Sequence, residues 1–227
     1  MLLWSRATVR TGIAGDALYS RTAHSVTTTA VSQADARRVL RRELRARRAA
    51  QPRAARSAAD RLICAHLARA PWFRPGTAAG LYLSRGSEVD TAALLALARR
   101  RGCRVYLPRI TDYREHRMLL VREAGCGRTM NRYRIAEPRG AASLPPPAIA
   151  LLLVPLVGFD NAGNRIGNGA GYYDRFLAGR RGRYGKPLLI GIAFECQRLA
   201  ALPTAAHDVP LDGVITERGL QYFQRRS

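Results

Sequence analysis

The residues best suited to chemistry stand together between Gly163 and Arg175, in the run Gly-Asn-Arg-Ile-Gly-Asn-Gly-Ala-Gly-Tyr-Tyr-Asp-Arg. Its alternating glycines leave the backbone uncovered at every second position, so N–H groups can turn toward an anion and the anion can come close. Arg165 and Arg175 add fixed positive charge, and Asp174 supplies a hard oxygen ligand of the kind that divalent metals bind. The run therefore indicates a loop for phosphate, metal and nucleotide, with a plain turn as the alternative.

The glycine spacing fits neither the dinucleotide fingerprint nor the Walker pattern, because no Lys-Ser or Lys-Thr pair follows the glycines. The whole run, however, resembles the signature of the 5-formyltetrahydrofolate cyclo-ligase family, whose members are also called methenyltetrahydrofolate synthetases. One position departs conservatively from it, since Ile166 stands where the family has leucine. The matching positions are Pro155, Phe159, Asp160, Gly163, Arg165, Gly167, Gly169, Gly171, Tyr172, Tyr173 and Asp174.

Three further segments resemble the family and follow its order along the chain. They are a basic helix over residues 37–48, the run 88–91 (Glu-Val-Asp-Thr), and residues 191–197 with the later His-Asp pair at 207–208. The resemblance spans about residues 33–219. It predicts one α/β cyclo-ligase domain over residues 32–227 and leaves residues 1–31 as a disordered or loosely attached extension.

The resemblance implies an enzyme that uses ATP and Mg²⁺ to convert 5-formyltetrahydrofolate to 5,10-methenyltetrahydrofolate, with release of ADP and phosphate. It implies Arg165, Tyr172 and Asp174 as catalytic residues, and Asp174 and Asp208 as magnesium ligands. The implied ATP contacts are Arg37, Arg41, Arg165, Ile166, Gly167, Asn168, Gly169, Ala170, Gly171, Tyr172 and Tyr173. The implied folate contacts are Arg41, Leu83, Glu88, Asn168, Gly169, Ala170, Gly171 and Tyr172.

Four arginines, Arg37, Arg41, Arg45 and Arg48, share one face of the first predicted helix, because their spacing follows the helical repeat. The family has a Lys-x-x-x-Arg pair that aligns with the first two, so an arginine replaces its lysine at position 37. A planar guanidinium is not a point-charge ammonium, and the geometry there is expected to differ. For the other two arginines we predict a solvent-facing position.

The net charge of +22 is unusual for a 227-residue chain, and 37 of the 38 basic residues are arginine. A surface of this kind attracts polyanions in general, including nucleic acid, membranes and ATP. An arginine-rich nucleic-acid-binding protein without ATP turnover is therefore the alternative function. The pattern favours a solvated arginine surface. Together with the family resemblance, which implies a small-molecule folate substrate, we expect no specific nucleic-acid partner, no membrane partner and a monomer.

The four cysteines are far apart and form no CxxC pair, which argues against a zinc site and a disulfide framework. No apolar run reaches the roughly 18 residues of a membrane-spanning helix. Residues 1–30 carry three arginines, several Ser and Thr residues and one acid. That composition is typical of a transit peptide, and equally of a start codon assigned too far upstream. We expect a cytoplasmic protein, with the mitochondrion as the alternative.

Helical and strand patterns alternate along the chain. Ser32 and Asp35 have capping spacing for a helix that ends before Pro52, and a second helix is predicted from Ser57 to before Pro71. Further helices are predicted over 91–101 and 172–179, a surface loop over 125–147, and strands over 78–83, 104–107, 118–122, 149–157, 188–194 and 213–216. The alternation predicts a three-layer α/β fold with a mostly parallel sheet and helices on both faces.

In such a sheet, ligands collect at the carboxyl ends of the strands. Glu88 follows the first predicted strand, the glycine-rich run follows a central one, and Asp208 precedes the last. We expect these three places to converge on one cleft.

Overall fold

The structure is a computed structural model of the 227-residue chain, and it describes residues 32–125, 127–178 and 187–224. Residues Ser32–Ser227 form one compact unit. The predicted extension lies outside the described residues. The described elements are helices α1 (Gln33–Ala49), α2 (Arg53–Arg69), α3 (Ala92–Arg100) and α4 (Tyr172–Phe176), and strands β1 (Ala78–Gly80), β2 (Arg104–Asp112), β3 (Arg117–Arg122), β4 (Arg128–Met130), β5 (Ala136–Pro138), β6 (Ser143–Leu144), β7 (Leu151–Pro155), β8 (Gly158–Asp160), β9 (Arg165–Ile166), β10 (Leu188–Ile192), β11 (Arg198–Leu199), β12 (Gly213–Thr216) and β13 (Gly219–Tyr222).

The main sheet has eight strands in the order β13-β12-β10-β7-β1-β2-β3-β6. Its centre, from β12 to β2, is parallel, whereas the pairs β12–β13, β2–β3 and β3–β6 at the two edges are antiparallel. The predicted mostly parallel α/β sheet is therefore confirmed. Because the central strands run in the same direction, their carboxyl ends meet at one edge of the sheet.

Apolar side chains cover both faces of this sheet. On one face, Ile63 and Leu67 of α2 and Leu94 of α3 pack with alternate residues of the central strands, all fully buried. On the other face, Leu177 and Phe159 join the strand residues of opposite parity, and Tyr173 and Phe176 of α4 pack against them. The alternation of faces along each strand thus fixes which side chains point to which layer.

Helix α1 lies against a small three-stranded sheet in the order β11-β8-β9 rather than against the main sheet. Ser32 begins the helix, because its hydroxyl oxygen accepts the amide N–H of Asp35 at 3.1 Å. Leu44 is fully buried in a cluster with Val157 and Ile166. This contact holds the arginine-bearing face of α1 beside the glycine-rich run.

Several predicted boundaries differ from the structure, and strands β1, β7 and β10 are shorter than the predicted 78–83, 149–157 and 188–194. Strand β2 does not end at Pro108 but continues to Asp112. Strand β1 pairs with β2 only as far as Tyr106, and beyond that residue β2 pairs with β3 alone. Pro108 therefore has no β1 partner, and its missing N–H removes no hydrogen bond from the sheet. Helix α2 starts four residues earlier than predicted, since Pro52 itself precedes its first turn. Helix α4 is shorter than predicted.

The segment 125–147, predicted as an irregular loop, instead contains the β4–β5 hairpin and strand β6 at the edge of the main sheet. Strands of two or three residues carry no readable alternation, which is why the pattern was missed. Asn131 organises the hairpin turn, because its side-chain oxygen accepts the N–H groups of Tyr133 and Ile135 at 2.9 and 3.0 Å. None of the described helices is long and apolar enough to cross a membrane.

Candidate active site

A cavity of about 700 Å³ opens where the central strands end. Helix α1, the loop after β1, strands β2 and β3, the β4–β5 hairpin and the loop between β9 and α4 all contribute to its walls. Of the residues predicted for the site, those lining the cavity are Arg37, Arg41, Leu83, Glu88, Arg165, Gly167, Asn168, Gly169, Ala170, Gly171, Tyr172, Tyr173, Asp174 and Asp208. The expected convergence of three sequence-distant places on one cleft is present.

Ile166 is the predicted residue that the cavity does not include. Its side chain is fully buried in the small cluster with Leu44 and Val157, and its carbonyl oxygen accepts the N–H of Val157 at 2.8 Å. The Ile166 side chain therefore anchors the base of the glycine loop.

The glycine loop, residues 167–171, is held by two arginines of helix α1. Arg41 Nε donates to the carbonyl oxygen of Gly167 at 2.9 Å, and Arg45 Nη2 donates to both oxygens of Asn168 at 3.1 and 2.9 Å. Gly169 and Gly171 have φ angles of 112° and 73°, a region that side chains disfavour. The loop conformation therefore requires glycine at these two positions. The α4 helix that follows has only five residues, so the positive charge at its N-terminal end is small.

Arg37 and Asp208 form a bidentate ion pair across the cavity. Arg37 Nη1 donates to Asp208 Oδ2 at 2.6 Å and Nη2 to Oδ1 at 3.1 Å, and the side chains are only 12% and 14% exposed. The backbone N–H of Ala205 donates to the same carboxylate at 2.7 Å. Burial opposes ionisation, but Arg37 and this N–H outweigh it and hold the pKa of Asp208 below its ordinary value.

Arg165 and Asp174 form the second ion pair of the cavity. Arg165 Nη2 donates to Asp174 Oδ1 at 2.7 Å, and the N–H of Val209 reaches the same oxygen at 3.2 Å. The Arg165 side chain is 4% exposed, and its Nε is buried without a hydrogen-bond partner among the described residues. A buried guanidinium N–H of this kind is a donor available to a bound anion.

Glu88 and its neighbours form the opposite wall. A Glu88 carboxylate oxygen accepts the backbone N–H of Arg85 at 2.9 Å, which fixes the loop after β1. The prediction that Arg48 faces solvent is wrong: this residue is 6% exposed, its Nε donates to Ser87 Oγ at 3.1 Å, and it lines the cavity. Burial lowers the pKa of Arg48, and the nearby Glu88 carboxylate opposes that shift.

Arg45 is exposed, as predicted, but it also contacts the glycine loop. Both it and Arg48 belong to the same helical face as Arg37 and Arg41. The spacing of the four arginines was thus the signal for all of them, and only the assignment of Arg48 to solvent was mistaken.

Two tyrosines follow the glycines. The hydroxyl of Tyr173 is buried without a hydrogen-bond partner among the described residues, and burial raises its pKa. Burial also raises the pKa of Tyr172 to about 12, with Tyr133 next to it as a second cause. Both phenols are therefore protonated at neutral pH, and each is able to donate a hydrogen bond to a ligand.

The far end of the cavity is apolar, and most of its residues were not predicted. The loop after β1, strands β2 and β3 and the β4–β5 hairpin contribute this surface. Its side chains are Leu83, Leu107, Pro108, Ile110, Met118, Tyr133 and Ile135. The cavity as a whole is therefore divided between an arginine-rich end and an apolar end.

This arrangement is that of an α/β enzyme whose cavity is lined by arginines as well as by apolar side chains. A model of the 5-formyltetrahydrofolate cyclo-ligase family matches residues 33–217, and the chain belongs to that family. The 5-formyltetrahydrofolate cyclo-ligase of Haemophilus influenzae is 31% identical over 182 residues, covering 79% of this chain and 96% of that protein. The Escherichia coli K12 protein of the same name is 35% identical over 139 residues, covering 60% and 75%.

The fold agrees with this membership. The NMR structure of the 5,10-methenyltetrahydrofolate synthetase of Aquifex aeolicus superposes with a TM-score of 0.72 at 27% identity, covering 84% of this chain and 95% of that one. Family membership selects the ligase over the nucleic-acid-binding protein that composition had left as the alternative.

Proposed function

We propose that this chain catalyses the reaction 5-formyltetrahydrofolate + ATP → 5,10-methenyltetrahydrofolate + ADP + phosphate. The observation that carries the proposal is the single cavity that joins the glycine loop to Glu88. Six arginines and four carboxylates line it, so its polar end is cationic and suits a triphosphate. The apolar end suits the ring system of a folate.

For ATP, we propose contacts with Arg37, Arg41, Arg165 and the loop from Gly167 to Tyr173. The support is their shared wall and the unpartnered buried Nε of Arg165. For the folate, we propose Leu83, Glu88, Arg41 and the 168–172 stretch. Arg41 bonds the glycine loop, and this position supports a contact of its guanidinium with both ligands.

The residues present also fit a magnesium ion, provided that the nucleotide supplies part of its coordination. Asp174 and Asp208 both line the cavity and offer hard oxygen ligands. Among the described residues, no group of three or more His, Cys, Asp or Glu side chains is arranged to hold a metal. Two carboxylates completed by phosphate oxygens and water match the usual coordination of Mg²⁺. When bound, the ion would neutralise charge on the transferred phosphoryl group.

The proposed chemistry proceeds in two displacements. The formyl oxygen attacks the terminal phosphorus of ATP, and the bond to the ADP oxygen breaks. The neighbouring folate nitrogen then attacks the formyl carbon and loses its proton, and the carbon–oxygen bond breaks so that the oxygen and the proton leave as hydrogen phosphate. The protein's part is to hold the formyl oxygen in line and to neutralise phosphate charge with Arg37, Arg41 and Arg165. The protonated hydroxyl of Tyr173 is a further donor inside the cavity.

The test is the absorbance of methenyltetrahydrofolate formed from 5-formyltetrahydrofolate by the full-length chain. We expect product only when both ATP and Mg²⁺ are present. Salt-sensitive polyanion binding without any product would instead identify the nucleic-acid-binding alternative. We further propose that the chain acts as a monomer, which sedimentation tests. We propose that it acts in the cytoplasm, or in the mitochondrion if residues 1–30 act as a transit peptide, and cell fractionation distinguishes these locations.

A further inference from the structure

The two carboxylates proposed for the metal are both engaged by arginines. Asp208 is gripped by both terminal nitrogens of Arg37 at 2.6 and 3.1 Å, and Asp174 Oδ1 by Arg165 at 2.7 Å. All four side chains are at most 15% exposed. Ion pairs that are shielded in this way are screened much less by water and salt than surface pairs. A metal ion must therefore compete with two well-placed guanidinium groups.

The charge of the surroundings acts in the same direction. The two aspartates and their two arginine partners are together neutral. Arg41 lies near this cluster: burial lowers the pKa of Arg41 most, and repulsion from Arg37 lowers it further. A divalent cation entering this cluster alone gains little attraction. A triphosphate changes the balance, because its oxygens compete for the guanidiniums and also serve as ligands to the metal.

We infer that Arg37 and Arg165 guard the two aspartates, so that this chain takes up a divalent cation only together with a triphosphate. The inference rests on the proposed function, since it assumes that the nucleotide occupies the same cavity. The inference depends on the arginine at position 37, where the family has lysine. The two terminal nitrogens of a planar guanidinium can donate to both Asp208 oxygens at once, and a lysine ammonium cannot form this bidentate pair. By linkage, the factor by which the nucleotide strengthens metal binding equals the factor by which the metal strengthens nucleotide binding.

The experiment titrates Mn²⁺, as a paramagnetic substitute for Mg²⁺, into the full-length chain and follows the free ion by electron paramagnetic resonance. Titrations are run with and without a non-hydrolysable ATP analogue, and corrected for the Mn²⁺ that the analogue binds in protein-free buffer. We expect the analogue to tighten Mn²⁺ binding to the protein by about tenfold or more, within the usual range of coupling between sites. Equal affinity in both titrations would overturn the inference.

A variant tests the guard without any nucleotide. Arg37→Gln removes the ion pair from Asp208, although the N–H of Ala205 still donates to the carboxylate, and should tighten Mn²⁺ binding to the nucleotide-free protein by roughly tenfold. Arg38→Gln is the matched control, because Arg38 lies on the same helix but is 79% exposed and pairs with Asp35 outside the cavity. Arg37→Lys keeps the charge and loses the fork, so it should fall between wild type and Arg37→Gln. If Arg37→Gln and Arg38→Gln bind Mn²⁺ equally, Arg37 does not guard the site.

The outcomes also separate this inference from the proposed function. Wild-type turnover together with tight Mn²⁺ binding in the absence of nucleotide would sink the guard and leave the ligase assignment intact. No turnover and no binding of the analogue would sink both. The Mn²⁺ data for Arg37→Gln count only if its melting temperature is near that of wild type. If Arg37→Gln does not fold, Arg37→Lys is used in its place.

Discussion

The Nε of Arg41 donates a 2.9 Å hydrogen bond to the carbonyl oxygen of Gly167, which joins residues 126 positions apart in the chain. The bond connects the arginine face of α1 to the first glycine of the loop. One turn further along α1, Leu44 is buried beside Ile166, directly before that glycine. An apolar contact and a polar contact from one helix thus set the loop position before any ligand arrives, which lowers the ordering cost of binding.

Replacing Arg41 by alanine should weaken the binding of both ATP and folate. The variant loses the loop contact and a charge-assisted hydrogen bond worth about 1.5–3 kcal/mol, or roughly 10- to 150-fold in each dissociation constant. Calorimetric titration of each ligand measures the effect. Arg42→Ala is the control, because Arg42 is exposed on the same helix and does not line the cavity. If both variants lose equally little, Arg41 is an ordinary surface group.

Replacing Glu88 by glutamine should raise the folate requirement and leave ATP binding almost unchanged. Glutamine keeps an oxygen that can accept the Arg85 N–H, so the loop after β1 should keep its shape while the charge is lost. We expect the KM for 5-formyltetrahydrofolate to rise by about tenfold, in line with the loss of a hydrogen bond to a charged group. A shift in the ATP dissociation constant of the same size would contradict the site map.

The sequence was sufficient to predict the parts of the site that rest on long elements. The arginine face of α1 follows from helical spacing, and the glycine loop from its own composition. The burial of Arg48 could not be predicted, because it depends on α1 packing beside β8, β9 and β11. Those strands are two or three residues long and show no periodicity. Without them, an arginine face on a terminal helix is most simply assigned to solvent.

The apolar end of the cavity was missed for a related reason. It comes from β2 beyond Pro108 and from the β4–β5 hairpin, where local signals favoured a strand end and an irregular loop. Proline cannot donate a hydrogen bond to a neighbouring strand, so the sequence predicted that β2 ends at Pro108. Only the tertiary structure shows that β1 has ended before Pro108, so no hydrogen bond is lost there.

Replacing Asp174 by asparagine should lower turnover by roughly a hundredfold or more, on the order of 3 kcal/mol in the barrier. The change keeps the shape of the side chain but removes a charge that we propose for magnesium. It also weakens the pair with the buried Arg165, so the melting temperature must be measured alongside turnover. Near-normal turnover at limiting magnesium would show that Asp174 is not a metal ligand.

Deleting residues 1–30 should leave turnover and melting temperature nearly unchanged. The family model begins its match at residue 33, and Ser32 caps α1 with its own side chain. The helix therefore carries its own start signal and needs no preceding residues for it. Thermal unfolding and the methenyltetrahydrofolate assay on the shortened chain provide the measurement. A large drop in either would mean that the deleted segment stabilises the catalytic domain.

Replacing Glu123 by glutamine should make the fold less stable at neutral pH and less sensitive to acid. Glu123 follows β3 and bonds Arg99 of α3, at 2.5 and 3.0 Å, as well as Arg128 of β4. Burial raises the pKa of Glu123, but the two arginines outweigh it and hold the pKa below its ordinary value. A carboxylate with a depressed pKa stabilises the fold above its unfolded pKa of about 4.3, and the gain is lost as the pH falls through the folded value.

The expected difference in unfolding free energy between wild type and Glu123→Gln is about 1 kcal/mol at pH 7, since the arginines are partly exposed. It should shrink as the pH falls below about 4.3. Denaturant unfolding of both proteins from pH 7 to pH 3 provides the test, with Glu115→Gln, a change at an exposed turn residue, as the control. A difference that stays constant across this range would mean that the Glu123 carboxylate contributes packing but no pH-linked stability.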